Sequence, residues 1–214
     1  MRKIFTVLIV LVLFSSANNA QNIKFGPGGG LTFLLGPDEF TNDIDSLGSS
    51  YGFKSNYNIG AKFKGTLTGA PLNIYAKLLY TVLSGTEDNV IVNQGGVQVA
   101  SDFETDGSIF TIALGGEYLL APAPISPYLN FDIQLNSLGD LDFSRIAGGQ
   151  ADERSTELGT RFGIGFGAGV DLTVSQFTFD ASLNFNFPNM IGQEAGESTI
   201  SNLNFTIFIL YAPL

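Results

Sequence analysis

Nine charged side chains recur at alternate positions inside long stretches of period-two alternation. The cations are Lys24, Lys62, Lys64, Lys77 and Arg161; the anions are Glu117, Asp132, Asp171 and Asp180. What is missing limits their chemistry. The chain has no His and no Cys, which excludes Ser-His-Asp and Cys-His nucleophiles, His-ligated metals, thiolate zinc sites and disulfides. Lysines and carboxylates confined together can instead neutralise one another, because a buried charge is tolerable only beside a partner. The set is therefore expected to form an ion-paired interior, read either as a salt-bridged plug or as a polar channel. No catalytic residue, cofactor or metal ligand is expected.

A second group of acids lies between the alternating stretches. Asp43-Ile44-Asp45 and Asp140-Leu141-Asp142 offer oxygens to a calcium ion, yet neither has the fixed glycine and terminal Glu of a complete binding loop. Paired carboxylates for glycoside hydrolysis need a cleft that sets their spacing, and none is evident. Solvation and mutual repulsion of neighbouring molecules explain these acids more simply. Twenty acidic residues against ten basic ones also exclude nucleic acid, whose phosphates require Lys and Arg.

Four apolar residues, Leu34, Leu79, Leu83 and Ile109, break the polar phase near one end of the stretches. They are read either as a small pocket for a hydrophobic molecule or as a cluster that packs loops. Gly163, Gly165, Gly167 and Gly169 leave room for facing side chains such as Tyr75 and Tyr128, or for a ligand.

The alternation itself defines the elements that must position these groups. Phe131, Ile133 and Leu135 alternate with Asp132, Gln134 and Asn136; similar runs recur along the chain, and period two puts each set on one face of a strand. Eight strands are predicted, roughly 22–35, 51–64, 71–83, 108–120, 126–137, 159–174, 176–187 and 200–211. Short spacers alternate with long polar ones, a pattern that describes an all-β, antiparallel, up-and-down transmembrane barrel with short periplasmic turns and four long extracellular loops. Within the second long loop, Val90-Ile91-Val92 and Val97-Gln98-Val99 predict a small hairpin. Every in-strand charge falls on the polar phase. A lipid-facing wall demands this, since Lys or Arg at mid-membrane costs about 2–4 kcal/mol.

The first residues read differently. Arg2 and Lys3 precede the apolar run Ile4–Phe14 and the small residues up to Ala20, the pattern of an export signal. Residues 1–20 are expected to be a signal peptide, cleaved near Ala20 with Ala17 as the alternative, and residues 21–214 the barrel.

With its uncharged outer phase and its closing Phe205, Ile207, Ile209 and Tyr211, the chain resembles the small outer-membrane β-barrel family of Gram-negative bacteria, the OmpX/OmpA-type eight-stranded proteins. Ala212-Pro213-Leu214 runs past the usual aromatic end. The resemblance implies a cell outer-membrane, porin-like monomer that contacts outer-membrane lipid and the insertion machinery. It also implies a non-enzymatic role, since known barrel enzymes of this membrane generally rely on a His. A structural, adhesive or surface-interaction role with a plugged lumen is expected, the extracellular partner being open. The alternative is a narrow channel or a conduit for small hydrophobic molecules.

Overall fold

A computed structural model describes residues 20–42, 51–94, 97–121, 124–147, 150–156, 159–194 and 196–213. The expected signal peptide up to residue 19 and the pair Asp43 and Asp45 lie outside the described residues.

The described residues form ten strands and one helical turn: β1 (Ala20–Gly36), α1 (Asp38–Thr41), β2 (Ser55–Leu67), β3 (Leu72–Gln94), β4 (Val97–Leu119), β5 (Ile125–Leu138), β6 (Leu141–Ala147), β7 (Gln150–Thr156), β8 (Gly159–Val174), β9 (Phe177–Ile191) and β10 (Ser201–Tyr211). Eight of them, β1 to β5 and β8 to β10, close into an antiparallel ring: β1 pairs with β2 and with β10, and β3 pairs with β4. Closure leaves no edge in the membrane band, which is what lipid requires of backbone N–H and C=O groups. None of the described helices is long and apolar enough to cross a membrane.

Two elements exceed the predicted strands. β3 and β4 do not stop at 83 and 108; their ladder continues from Leu83↔Gly107 to Gln94↔Val97. The hairpin predicted around 90–99 is thus the tip of two strands of the barrel. Residues 141–147 and 150–156, predicted as loop, form the paired strands β6 and β7, and β6 pairs with β4 from Ser101↔Ala147 to Asp106↔Asp142. This extension rises on one side of the ring.

The two phases separate as the alternation requires. β5 is the plainest case, alternating exposed and buried residues along its whole length. Leu129, Phe131, Ile133, Phe166, Leu183 and Ile207 stand outward among many other large apolar residues. At the short-turn end the outer wall carries an aromatic belt: Phe25 stacks on Phe63 at 5.9 Å, and Tyr211 meets both Phe25 (6.3 Å) and Phe177 (5.6 Å). Such rings suit the apolar–polar boundary of a membrane.

Candidate functional site

Register places like charges side by side within the wall. Lys24 lies opposite Lys64 and Lys62 opposite Lys77, while Asp171 lies opposite Asp180. Each such pair destabilises a sheet when nothing compensates it. Compensation comes from across the barrel, because the four lysines occupy β1 to β3 and the anions β4, β5, β8 and β9, with Arg161 of β8 as the exception to the division. Two walls of opposite sign therefore face each other over a lumen just wide enough for side chains to fill.

In the half of the lumen nearer the short turns this produces a compact ion lattice. Lys62 Nζ donates to Glu117 Oε1 and Asp180 Oδ2, each at 2.6 Å. Lys64 Nζ lies 2.8 Å from Glu117 Oε2, 2.9 Å from Asp171 Oδ1 and 2.6 Å from Asp180 Oδ2. Asn73 donates to Glu117 at 3.0 Å and the Tyr128 hydroxyl to Asp180 at 2.5 Å. Aromatic faces close the remaining sides: the Lys62 ammonium sits 4.7, 5.6 and 5.7 Å from the ring centroids of Tyr75, Tyr128 and Phe208. Every ion in this group is buried.

Above it, toward the loops, Lys77 lies 3.3 Å from Asp132, which also accepts from the Tyr75 hydroxyl at 2.7 Å and from Gln134 at 2.7 Å. Lys24 stands apart, donating to Thr178 Oγ1 at 3.0 Å beside a vestibule of about 370 Å³ at the short-turn mouth. Higher still, Thr81, Thr111, Gln134, Asn186, Asn202 and Asn204 surround a cavity of about 10 Å³, room for one water.

The glycines divide differently from the sequence expectation. Tyr128 lies over Gly169, so a side chain there would strike its ring, but Tyr75 lies over Gly115 of β4, not over β8. Gly165 and Gly167 face Gln134, Asn184 and Asn186 instead.

The outer mouth is covered by residues that sequence periodicity did not single out. Phe40 of α1, Phe53, Leu138, Leu141 and Ile200 pack with Leu83 and Ile109 into one apolar cluster, and Leu34 leans on it. Phe40, Tyr51 and Phe53 contact one another at ring distances of 5.5 to 5.6 Å. Leu34, Leu83 and Ile109 thus share a site. Leu79 is outside that cluster and packs lower, against Phe208 and Leu210 of β10, though it lines the small cavity together with Ile109.

Arg161 ties the last loop to the rim. It donates from Nε to Glu197 Oε2 at 3.0 Å and from Nη2 to Glu194 at 3.2 Å. Asn189 donates to Glu197 at 2.9 Å and accepts from the Ile200 backbone N–H at 2.7 Å. Burial raises the Glu197 carboxyl, but the Arg161, Asn189 and backbone hydrogen bonds outweigh it and hold the group below its ordinary range. The chemistry of the whole arrangement is cohesive: each described lumenal carboxylate, Glu117, Asp132, Asp171 and Asp180, is engaged by a lysine.

A family comparison agrees with this architecture. Residues 6–211 match the family model described as the outer membrane protein beta-barrel domain. No curated protein sequence matches the chain. Among solved structures, the crystal structure of Neisserial surface protein A is similar, at 14% identity and a TM-score of 0.47, over 89% of this chain and 95% of that one.

Proposed function

The chain belongs to the outer membrane β-barrel family, and from that premise we propose that it is a non-enzymatic surface protein whose barrel serves as an anchor, not a conduit. Residues 1–20 direct its export and are removed. The observation that carries the reading is the lattice of Lys62, Lys64, Glu117, Asp171 and Asp180, in which the heavy-atom contacts are 2.6 to 2.9 Å. An ion crossing the barrel would have to part these groups at low dielectric, where each bare charge costs several kcal/mol.

The apolar cap of Phe40, Phe53, Leu138, Leu141 and Ile200 argues in the same direction. Leu34, Leu83 and Ile109 serve that cap as packing groups, and Leu79 does not join them, which weakens the case for a route for hydrophobic molecules. What remains available to other molecules is the extracellular extension of β3, β4, β6 and β7, placed there by a rigid ring below. The role is thus surface interaction or adhesion.

Planar-bilayer recording of the detergent-purified, inserted protein tests the reading. The expected result is no conductance step above the bare membrane across a range of voltages. Regular unitary steps in the wild-type protein would overturn it.

A further inference from the structure

We propose that the free outer edge of β3, at Val90–Gln94, is a self-docking edge, through which copies of this chain anchored in facing membranes join antiparallel. The proposal rests on the surface-interaction reading above and names its partner as a second copy of the chain.

β2 covers β3 only as far as Ser55↔Ser84, where the Lys54 N–H donates to the Ser84 carbonyl at 3.0 Å. Beyond that point β3 is paired, among the described residues, with β4 alone, from Val90↔Ser101 to Gln94↔Val97. One side of Val90–Gln94 therefore carries a row of backbone donors and acceptors with no described strand beside it. Such a row is a template for another strand. The tip also stands clear of the barrel: the ten residues after Ser84 rise about 33 Å at the usual spacing along a strand.

Charge decides which partner fits. Residues 89–101 contain no Asp, Glu, Lys or Arg, while Glu87, Asp88, Asp102 and Glu104 flank them. Neither the lysine nor the proline that commonly protects a sheet edge is present there. Ile91, at 54% exposure, adds an apolar side chain to the patch. Elsewhere the acidic loops repel a second copy; here they do not.

Symmetry then decides the geometry. Antiparallel pairing of a strand with its own copy requires a two-fold axis across the strand. For a hairpin that rises from a membrane, such an axis lies parallel to the membrane plane and places the partner in an opposing membrane. It also carries the two acidic roots to opposite ends of the joint, about 17 Å apart for five residues and beyond the screening length of physiological salt. An axis along the membrane normal would give the less stable parallel pairing and set the acidic roots side by side.

Vesicles carrying the full chain test this. Expected is a several-fold rise in turbidity when wild-type vesicles are mixed, and none with protein-free vesicles. Ile91→Lys vesicles alone and Ile91→Glu vesicles alone should stay dispersed, whereas mixing the two should restore clustering through opposite charges at the joint. The shift between heated and unheated samples on SDS gels establishes that each variant retains its barrel. Dispersed wild-type vesicles, clustering with protein-free membranes, or two variants that fail to rescue each other would each overturn the proposal. Ion flux through the same vesicles reports on the anchor reading separately: a leaky barrel refutes that reading whatever the turbidity does.

Discussion

Replacing Lys64 by Met removes the ammonium that bridges Glu117, Asp171 and Asp180 at 2.6 to 2.9 Å. The three carboxylates are then left to Lys62, which contacts only two of them, Glu117 and Asp180. Asp171 loses the ammonium that salt-bridges it while standing opposite Asp180 in the ladder. Removing one member of a buried ion pair costs about 3–5 kcal/mol, because the other charge stays buried and uncompensated. The sign of a second substitution is more diagnostic. The native group holds two lysines and three carboxylates; Lys64→Met/Asp180→Asn restores the original excess of a single negative charge. The double variant should therefore be more stable than Lys64→Met by at least about 1 kcal/mol, a coupling of the size that double-mutant cycles detect between contacting residues. Reversible urea unfolding in lipid vesicles, followed by the heat-dependent gel shift, measures all four corners of the cycle. Additive losses, or a Lys64→Met cost below about 1 kcal/mol, would refute the claim that charge balance holds the lumen together.

Phe166→Leu alters a lipid-facing side chain and should change unfolding free energy by less than about 0.5 kcal/mol in the same urea assay. Gly169→Ala drives a methyl group into the Tyr128 ring and should cost about 1–3 kcal/mol as overpacking, with loss of the Tyr128 bond to Asp180. Phe53→Ala opens the apolar cap, yet bilayer recordings should stay silent because the ion lattice beneath is intact. The Glu197 carboxyl is held below its ordinary value of 4.5 by Arg161 and its other donors, against burial. The order it lends the last loop should therefore be complete above that ordinary value and disappear as pH falls through the lower native one. Hydrogen-exchange protection of the Ile200 amide, compared with Glu197→Gln, reads this directly.

The ring was legible because each of its strands has one face in lipid and one in a confined polar space. That contrast writes itself as Phe131, Ile133 and Leu135 against Asp132, Gln134 and Asn136. Above the membrane the contrast ends. Asp102, Glu104 and Asp106 alternate with Phe103 and Thr105, so the outward phase of β4 changes from apolar to acidic and no longer reads as barrel wall. β6 and β7 carry Ser, Arg, Asp and Glu in both phases and are held by pairing with β4, a long-range cause that leaves no local period. In the lumen, the sign of each wall, Arg161 of β8 excepted, followed from strand assignment alone. The depth of single residues did not. Leu79 looks like a rim residue by its place in β3, but ring closure brings it level with Phe208, because strand tilt and stagger shift neighbours along the axis. The cap was invisible for another reason: Phe40, Phe53, Leu141 and Ile200 come from separate connections and converge only in three dimensions.

The charged phase of the strands faces the lumen while their apolar phase faces lipid. A chain without cysteine permits single labels at will, so spin labels placed in turn at residues 129 to 136 along β5 test it most directly. In vesicles, labels at Leu129, Phe131, Ile133 and Leu135 should collide freely with lipid-dissolved oxygen and be shielded from a water-soluble nickel reagent. Labels at Asn130, Gln134 and Asn136 should be immobilised and shielded from both. The opposite phase, with the odd-numbered positions open to the nickel reagent and the even-numbered ones to oxygen, would contradict the register and the membrane assignment together.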